Sequence, residues 1–588
     1  MIKRILYIAS SVLMLAVCGT VSAQDLDPTV VVSRAYEGQL AEVNKPLFDM
    51  MVPDSVTRFE LDFDYTVFEQ PYKGSYEFNP YLLTMQPSSA VQNPKQLYLR
   101  AGAGYTLHPT LDLVWTPAFK GAFRMDVYAV HRSYVGEYRG FKVPSALDGV
   151  LDIDRWEESG GNHSYWKGYE SMTAGGVDGM YDWADGVLRF DASYLGFASE
   201  DQLKKRHFDG LQAMLGVSSK SDADSTFVYD VQVDYSFGTD KMNYLGIGRD
   251  FGEHVFGVTA GLGRTINNRH RVHFDLGLDL ASGSDAETAS TVGQFHLTPH
   301  YVLRYDRWCL DAGLRLALLM NSDLPEHLYP SSGQVVYPDV KAWFDVLPGA
   351  MRLYARIGGG NHIDTYVSSL THNRHFDPSY GHGIWPLMDV TVERVSASLG
   401  LTGRISSVFG YELQAGYVNY KNARLDAVAI GRPYEGREAR YLPGFGYTGY
   451  QKFYAAADWW LKTESVRFDG NLTYTLPWAM KDVSLFRPSP FTGDVSVEYN
   501  WSRRIYVGAD CEFALARKGK VVDLLNSGSV LDARVPGYAD LGVYAEIAAN
   551  SFLSFWLRGG NLLNMTVQRN LLYAEKGVSF TAGICLNL

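Results

Sequence analysis

From about residue 95 to the C-terminus, apolar and polar residues alternate one by one over stretches of roughly ten residues, and turn residues punctuate each stretch. Val272, Phe274, Leu276, Leu278 and Leu280 alternate with His273, Asp275, Gly277 and Asp279; Phe227 to Phe237, Leu188 to Tyr194 and Val466 to Tyr474 repeat the pattern. A period of two places the two residue classes on opposite faces of a β-strand, as required when one face meets hydrocarbon and the other a hydrated interior. About 22 such stretches run from 96–104 to 577–588. Their connections alternate in length. Trp183 to Gly186, Asn267 to His270, Asp306-Arg307, Leu347 to Ala350, Thr463-Glu464 and Asn550-Ser551 are tight, whereas 136–165, 239–254, 321–333, 361–389, 423–449, 477–492, 516–536 and 564–576 are long. Short turns at one barrel end and long loops at the other give this parity. A soluble sandwich has no reason to show it, and a propeller would carry a sequence repeat of about 40–50 residues, which is absent. The predicted fold class is an all-β transmembrane antiparallel β-barrel of about 22 strands occupying residues 95–588.

Residues 1–23 read as a secretory signal peptide: Lys3 and Arg4, an apolar run from Ile5 to Val17, and Val21-Ser22-Ala23, with cleavage expected after Ala23. Past this leader no run of 18 apolar residues offers a transmembrane helix, so an exported chain of this kind is either soluble or an outer-membrane barrel. Removing Lys3 and Arg4 from the 53 basic residues leaves the 65 acidic ones in an excess of 14, which argues against nucleic-acid binding. Cys309, Cys511 and Cys585 are too few and too scattered for a disulfide scaffold and read as isolated strand residues. Between leader and barrel, residues 24–94 are broken by Pro28, Pro46, Pro53, Pro71, Pro80 and Pro87, and read as an N-terminal periplasmic or lumenal segment.

The stretch Phe552-Leu553-Ser554-Phe555-Trp556-Leu557-Arg558-Gly559-Gly560-Asn561-Leu562-Leu563-Asn564, followed by Gly577-Val578-Ser579-Phe580-Thr581-Ala582-Gly583, resembles the last two strands of TonB-dependent receptor barrels. Val30-Val31-Val32-Ser33-Arg34-Ala35-Tyr36-Glu37, with Lys45-Pro46 and Asp54, is similar to a plug-less Bacteroidota type of these barrels. About 70 residues precede the first strand where a plug needs well over 100, so the resemblance implies an integral outer-membrane protein without a full plug domain. Asp27, Thr29, Val30, Val31 and Val32 look like a TonB box, a segment offered as an added strand to an energising partner; an ordinary edge strand is the competing reading.

Two loops concentrate chemistry. His362, Asp364, His372, His375, Asp377 and His382 in 361–389 are residue types that bind Zn²⁺ when three or four converge, with a solvated polar loop as the alternative. Arg424, Arg432, Arg437 and Arg440 with Tyr434, Tyr441, Phe445 and Tyr447 in 423–449 are suited to clasp an anionic or sugar-bearing ligand, or to close the lumen. No nucleophile elbow, phosphate loop or metalloprotease helix appears, so no enzyme and no cofactor is expected. A lumen of this size needs filling, by residues 24–94, by the outer loops or by a partner protein. Two functions follow: an anchoring or assembly subunit of a multi-protein outer-membrane complex, which the short N-terminal segment favours, or a transport component that binds a ligand through its loops.

Overall fold

The computed structural model describes residues 95–105, 107–141, 163–200, 204–220, 227–244, 247–267, 269–285, 289–320, 335–376, 388–432, 440–482, 484–526, 528–570 and 573–588, with the backbone of 151–152. The leader with its cleavage point, the 24–94 segment and the TonB-box-like residues lie outside them, as do Tyr434, Arg437, Asp377 and His382.

Among the described residues twenty-two antiparallel strands close into one barrel, each expected stretch supplying one. The last, Ser579–Asn587, pairs back onto the first, Leu97–Gly104, with Tyr98 opposite Asn587 and Gly104 opposite Thr581. Leu588 finishes the seam, donating to the Leu97 carbonyl at 2.8 Å and accepting from the Leu97 N–H at 2.9 Å. The tight turns fall where the parity argument puts them, and they need unusual backbone: Asp306 (φ 49), Ser406 (φ 56), Ser502 (φ 52) and Gly349 (φ 74) sit in left-handed conformations. Cys309, Cys511 and Cys585 are free thiols on separate strands.

Alternate side chains point outward as an apolar coat: Val231, Val233 and Tyr235 on Phe227–Tyr244, Leu276 and Leu280 on His270–Ser284, Phe555 and Leu557 on Leu553–Gly560 are all exposed. Beside the tight turns, Tyr305, Trp308, Tyr499 and Trp501 are 50–63 % exposed, the aromatic girdle expected at a membrane interface. On the opposite face large rings rest over glycines one or two strands away. A Cβ on Gly508 would stand 2.2 Å from the Tyr544 ring, and one on Gly102 2.4 Å from Trp556. These glycines are where a curved wall makes room for a ring.

At the long-loop end the structure corrects the expected boundaries. Phe409–Gly431 and Arg440–Lys462 are 23 residues each and stay hydrogen-bonded to one another up to Gly431 and Arg440, so most of 423–449 is strand, not loop. Likewise Phe227–Tyr244 and Ile247–Asn267 absorb most of 239–254. At about 3.3 Å per residue such strands far exceed a hydrocarbon band of about 25 Å. Their outer halves stand beyond lipid, where no face is required to be apolar, so the alternation stops while the ladder continues. The connection 516–536 holds a hairpin, Arg517–Asp523 and Ser529–Val535, whose first strand pairs in parallel with Val428 to Ile430. Around it Val428, Ile430, Tyr441, Phe486, Val521 and Val535 form a buried cluster above the barrel wall.

Candidate functional site: the loop-filled mouth

Within 361–389, Met351–Asp364 extends the wall and the chain then turns inward as a short helix, Tyr366–His372. Thr365 caps it, accepting from the Ser368 N–H at 3.1 Å. A wall residue supplies the rest of the cap: the buried Glu253 carboxylate accepts from the backbone N–H of Tyr366 at 2.6 Å and of Val367 at 2.9 Å. The helix packs Tyr366, Leu370 and the following Phe376, each 0 % exposed, between Phe208, Met242 and Phe251 on one side of the barrel and Leu425, Leu442 and Phe445 on another. The segment thus crosses the mouth from wall to wall.

Charged groups fix its path. Arg206, 0 % exposed, donates to the carbonyls of Arg374 (2.7 Å) and Phe376 (2.6 Å), and its Nε lies 3.0 Å from the equally buried Asp240. Tyr366 Oη donates to the same Asp240. From the far side, Arg424 reaches Asp364 at 3.3 Å and the hydroxyls of Ser368 and Ser369, with its guanidinium over the Phe445 ring. Asp426 meets His372 at 3.6 Å and Arg517 at 2.9 Å; against the upward push of burial, these neighbours hold its carboxyl down to about 2.

A second segment, Asn561 to Val578, folds inward to meet the first. Asn561 (φ 48) and Asn564 (φ 52), the ends of the Asn-Leu-Leu-Asn motif, take left-handed conformations that turn the chain off the wall after Gly560. Arg374 bridges Glu170 on the wall (3.1 Å) and Glu575 on this segment (3.0 Å), while His375 stacks on Tyr573 with centroids 3.8 Å apart and planes 7° from parallel. Arg569 ties the segment back to Glu512 (2.9 Å) and Asp540 (2.6 Å).

Between these segments and the wall lies a cavity of about 610 Å³, within the range that holds a drug-sized ligand. Ser193, Gln212 and Ser236 line it from successive strands, with Tyr128, Tyr134, Tyr420 and Tyr450 presenting rings.

The expected metal-type residues separate. His362 lies 3.7 Å from Asp364, His372 faces Asp426, and His375 lies against Tyr573; no ligand set of three forms among the described residues. In the arginine-tyrosine loop, Tyr441 is buried in the outer cluster, Arg440 opens its strand and Arg432 lies exposed just past the strand end. Arg424 and Phe445 instead hold the crossing helix. Sequence reading missed Arg206, Asp240, Glu253, Glu170 and Glu575. For the first four the only signal is a charge at the outer end of an alternating stretch, which a hydrated lumen wall also carries, and Glu575, in the connection 564–576, carries none.

No protein-family model matches the sequence, and no curated protein matches it. Solved structures do match in fold. The ferric enterobactin receptor of Pseudomonas aeruginosa is 11 % identical, with a TM-score of 0.55 over 84 % of this chain and 80 % of that one. The FrpB iron transporter of Neisseria meningitidis (9 %, TM-score 0.56, 85 % and 82 %) and the siderophore receptor PirA of Acinetobacter baumannii (10 %, TM-score 0.56, 85 % and 82 %) are similar. At such identities the likeness is one of barrel fold. These neighbours are receptors for ferric enterobactin and another siderophore and an iron transporter.

Proposed function

We propose that the protein is an integral outer-membrane transport component, without enzymatic activity, that binds its ligand in the chamber at the mouth of the barrel. The observation that carries this reading is the chamber itself: two outer segments fold inward, are fixed by buried charges, and leave about 610 Å³ lined by rings, hydroxyls and amides. A surface used only for anchoring needs no such interior. The likeness to receptors for ferric enterobactin and other siderophores agrees with it. Coupling to TonB through Asp27, Thr29 and Val30 to Val32 belongs to the same proposal, as does the plug-less character. The test is accumulation of a bound compound by cells expressing the intact protein, compared with a variant whose residues 366–376 are replaced by a Gly-Ser linker. Binding and accumulation are expected only for the former; a ligand retained without the segment overturns the reading.

A further inference from the structure

The chamber gathers cations in an acidic protein. Seven Lys and Arg side chains line it against five Asp and Glu, although the whole chain carries −12. Most of these cations are committed to protein carboxylates: Arg132 to Asp112 (2.5 Å), Arg315 to Asp339 (3.6 Å), Arg374 to Glu170 and Glu575, Arg424 to Asp364, and Arg569 to Glu512 and Asp540. Two lysines are not. Lys452, 5 % exposed, lies on the Arg440–Lys462 wall near the stacked Tyr420 and Tyr450 rings; the Glu393 carboxylate feels its charge but forms no ion pair with it. Lys576 belongs to the inward Asn561 to Val578 segment, its ammonium 5.9 Å from the centre of the Tyr134 ring. Among the described residues neither ammonium donates a hydrogen bond or forms an ion pair, and both line the chamber. A buried ammonium with no partner is costly, and an oxyanion that reaches it makes a charge-assisted bond in a site shielded from salt. The hydroxyls and tyrosine rings that share the chamber suit the body of an organic molecule rather than a bare ion.

We propose, resting on the transport reading, that the ligand is a small organic molecule carrying a carboxylate or phosphate group, which Lys452 on one wall and Lys576 on the inward segment each stand ready to receive. The chamber faces the lumen rather than lipid, so a free solute and not a membrane headgroup is the occupant.

The test is calorimetric titration of the full-length protein in detergent with citrate, pyrophosphate and glucose. Lys452→Gln, Lys576→Gln, their double variant and the exposed control Lys518→Gln are titrated alongside. Citrate or pyrophosphate is expected to bind, glucose not. Each lysine substitution should weaken the oxyanion by about tenfold or more, the magnitude of one lost charge-assisted bond, with Lys518→Gln unchanged. Folding of every variant is checked by the heat-induced gel shift of a closed barrel, and Lys→Arg at each position should restore binding if charge is what matters. Equal oxyanion affinity in the wild type and the folded double variant overturns the inference, as does an absence of oxyanion binding. Glucose binding without oxyanion binding sinks the inference and leaves the transport reading standing; accumulation lost together with all binding sinks both.

Discussion

Single residues in this barrel act by making room or by carrying charge. Gly508 does the first: the Tyr544 ring rests where its Cβ would be, and Tyr544 Oη donates to Glu498 behind it. Gly508→Val must push the ring off the wall and break that bond, so a loss of about 1–3 kcal/mol is expected, read as a lower urea midpoint of the detergent-folded protein. An unchanged midpoint would show that the wall yields freely. Lys576 does the second. Burial pushes its ammonium down to about 8, against the pull of Glu575 and Asp540 and with the push of Arg558 and Arg569; Glu170 and the Tyr134 ring also face it. Because the charged form is lost as pH rises through about 8, oxyanion affinity is expected to fall between pH 7 and 9. Lys576→Arg, charged throughout that range, should remove the step while keeping the affinity; a step that survives in the arginine variant assigns the titration elsewhere.

At the scale of elements, the segment through Tyr366–His372 obstructs the mouth. Arg206→Met leaves Asp240 buried without its cation and frees the carbonyls of Arg374 and Phe376. Breaking a buried pair in this way costs about 3–5 kcal/mol, enough to undock a seven-residue helix. Planar-bilayer conductance is expected to rise and to flicker in Arg206→Met and to stay high when residues 366–376 are replaced by a linker. Identical conductance in all three proteins would show that the segment is not the barrier. The legibility of these elements follows the same physics. Strands were readable wherever lipid imposes a period of two, as along His270–Ser284, and their turns wherever chain parity separates short from long. The outer halves of Phe409–Gly431 and Arg440–Lys462 were not, because beyond hydrocarbon a ladder survives without alternation. Nor was the crossing helix: seven residues, Tyr366 to His372, give barely two turns of periodicity. Its anchors come from strands about fifty to two hundred residues away in the chain, a distance over which local patterning carries no information.

For the whole molecule, closure depends on the C-terminal strand, since Ser579–Asn587 pairs with both Leu97–Gly104 and Leu553–Gly560. Removing residues 579–588 opens a ladder along its full length. The expected result is loss of the heat-modifiable band and of membrane insertion, checked by gel mobility before and after boiling; a closed species without those residues would contradict the seam. Deleting residues 24–94 and identifying what co-purifies after crosslinking decides whether a protein partner also belongs to the assembly. A stoichiometric partner lost on deletion would restore the anchoring reading, whereas none in either case favours transport. The fixing of the crossing segment has one more consequence, for the order of events during folding. Its contacts come from Glu170, Arg206, Asp240 and Glu253, made early in the chain, and from Arg424 and Glu575, made late. The strut between Arg374 and Glu575 cannot form until all but the last strand has emerged, so the mouth is sealed only on a nearly finished wall. A wall without its closing strand therefore lacks its seal as well, and an occluded mouth becomes a mark of finished assembly.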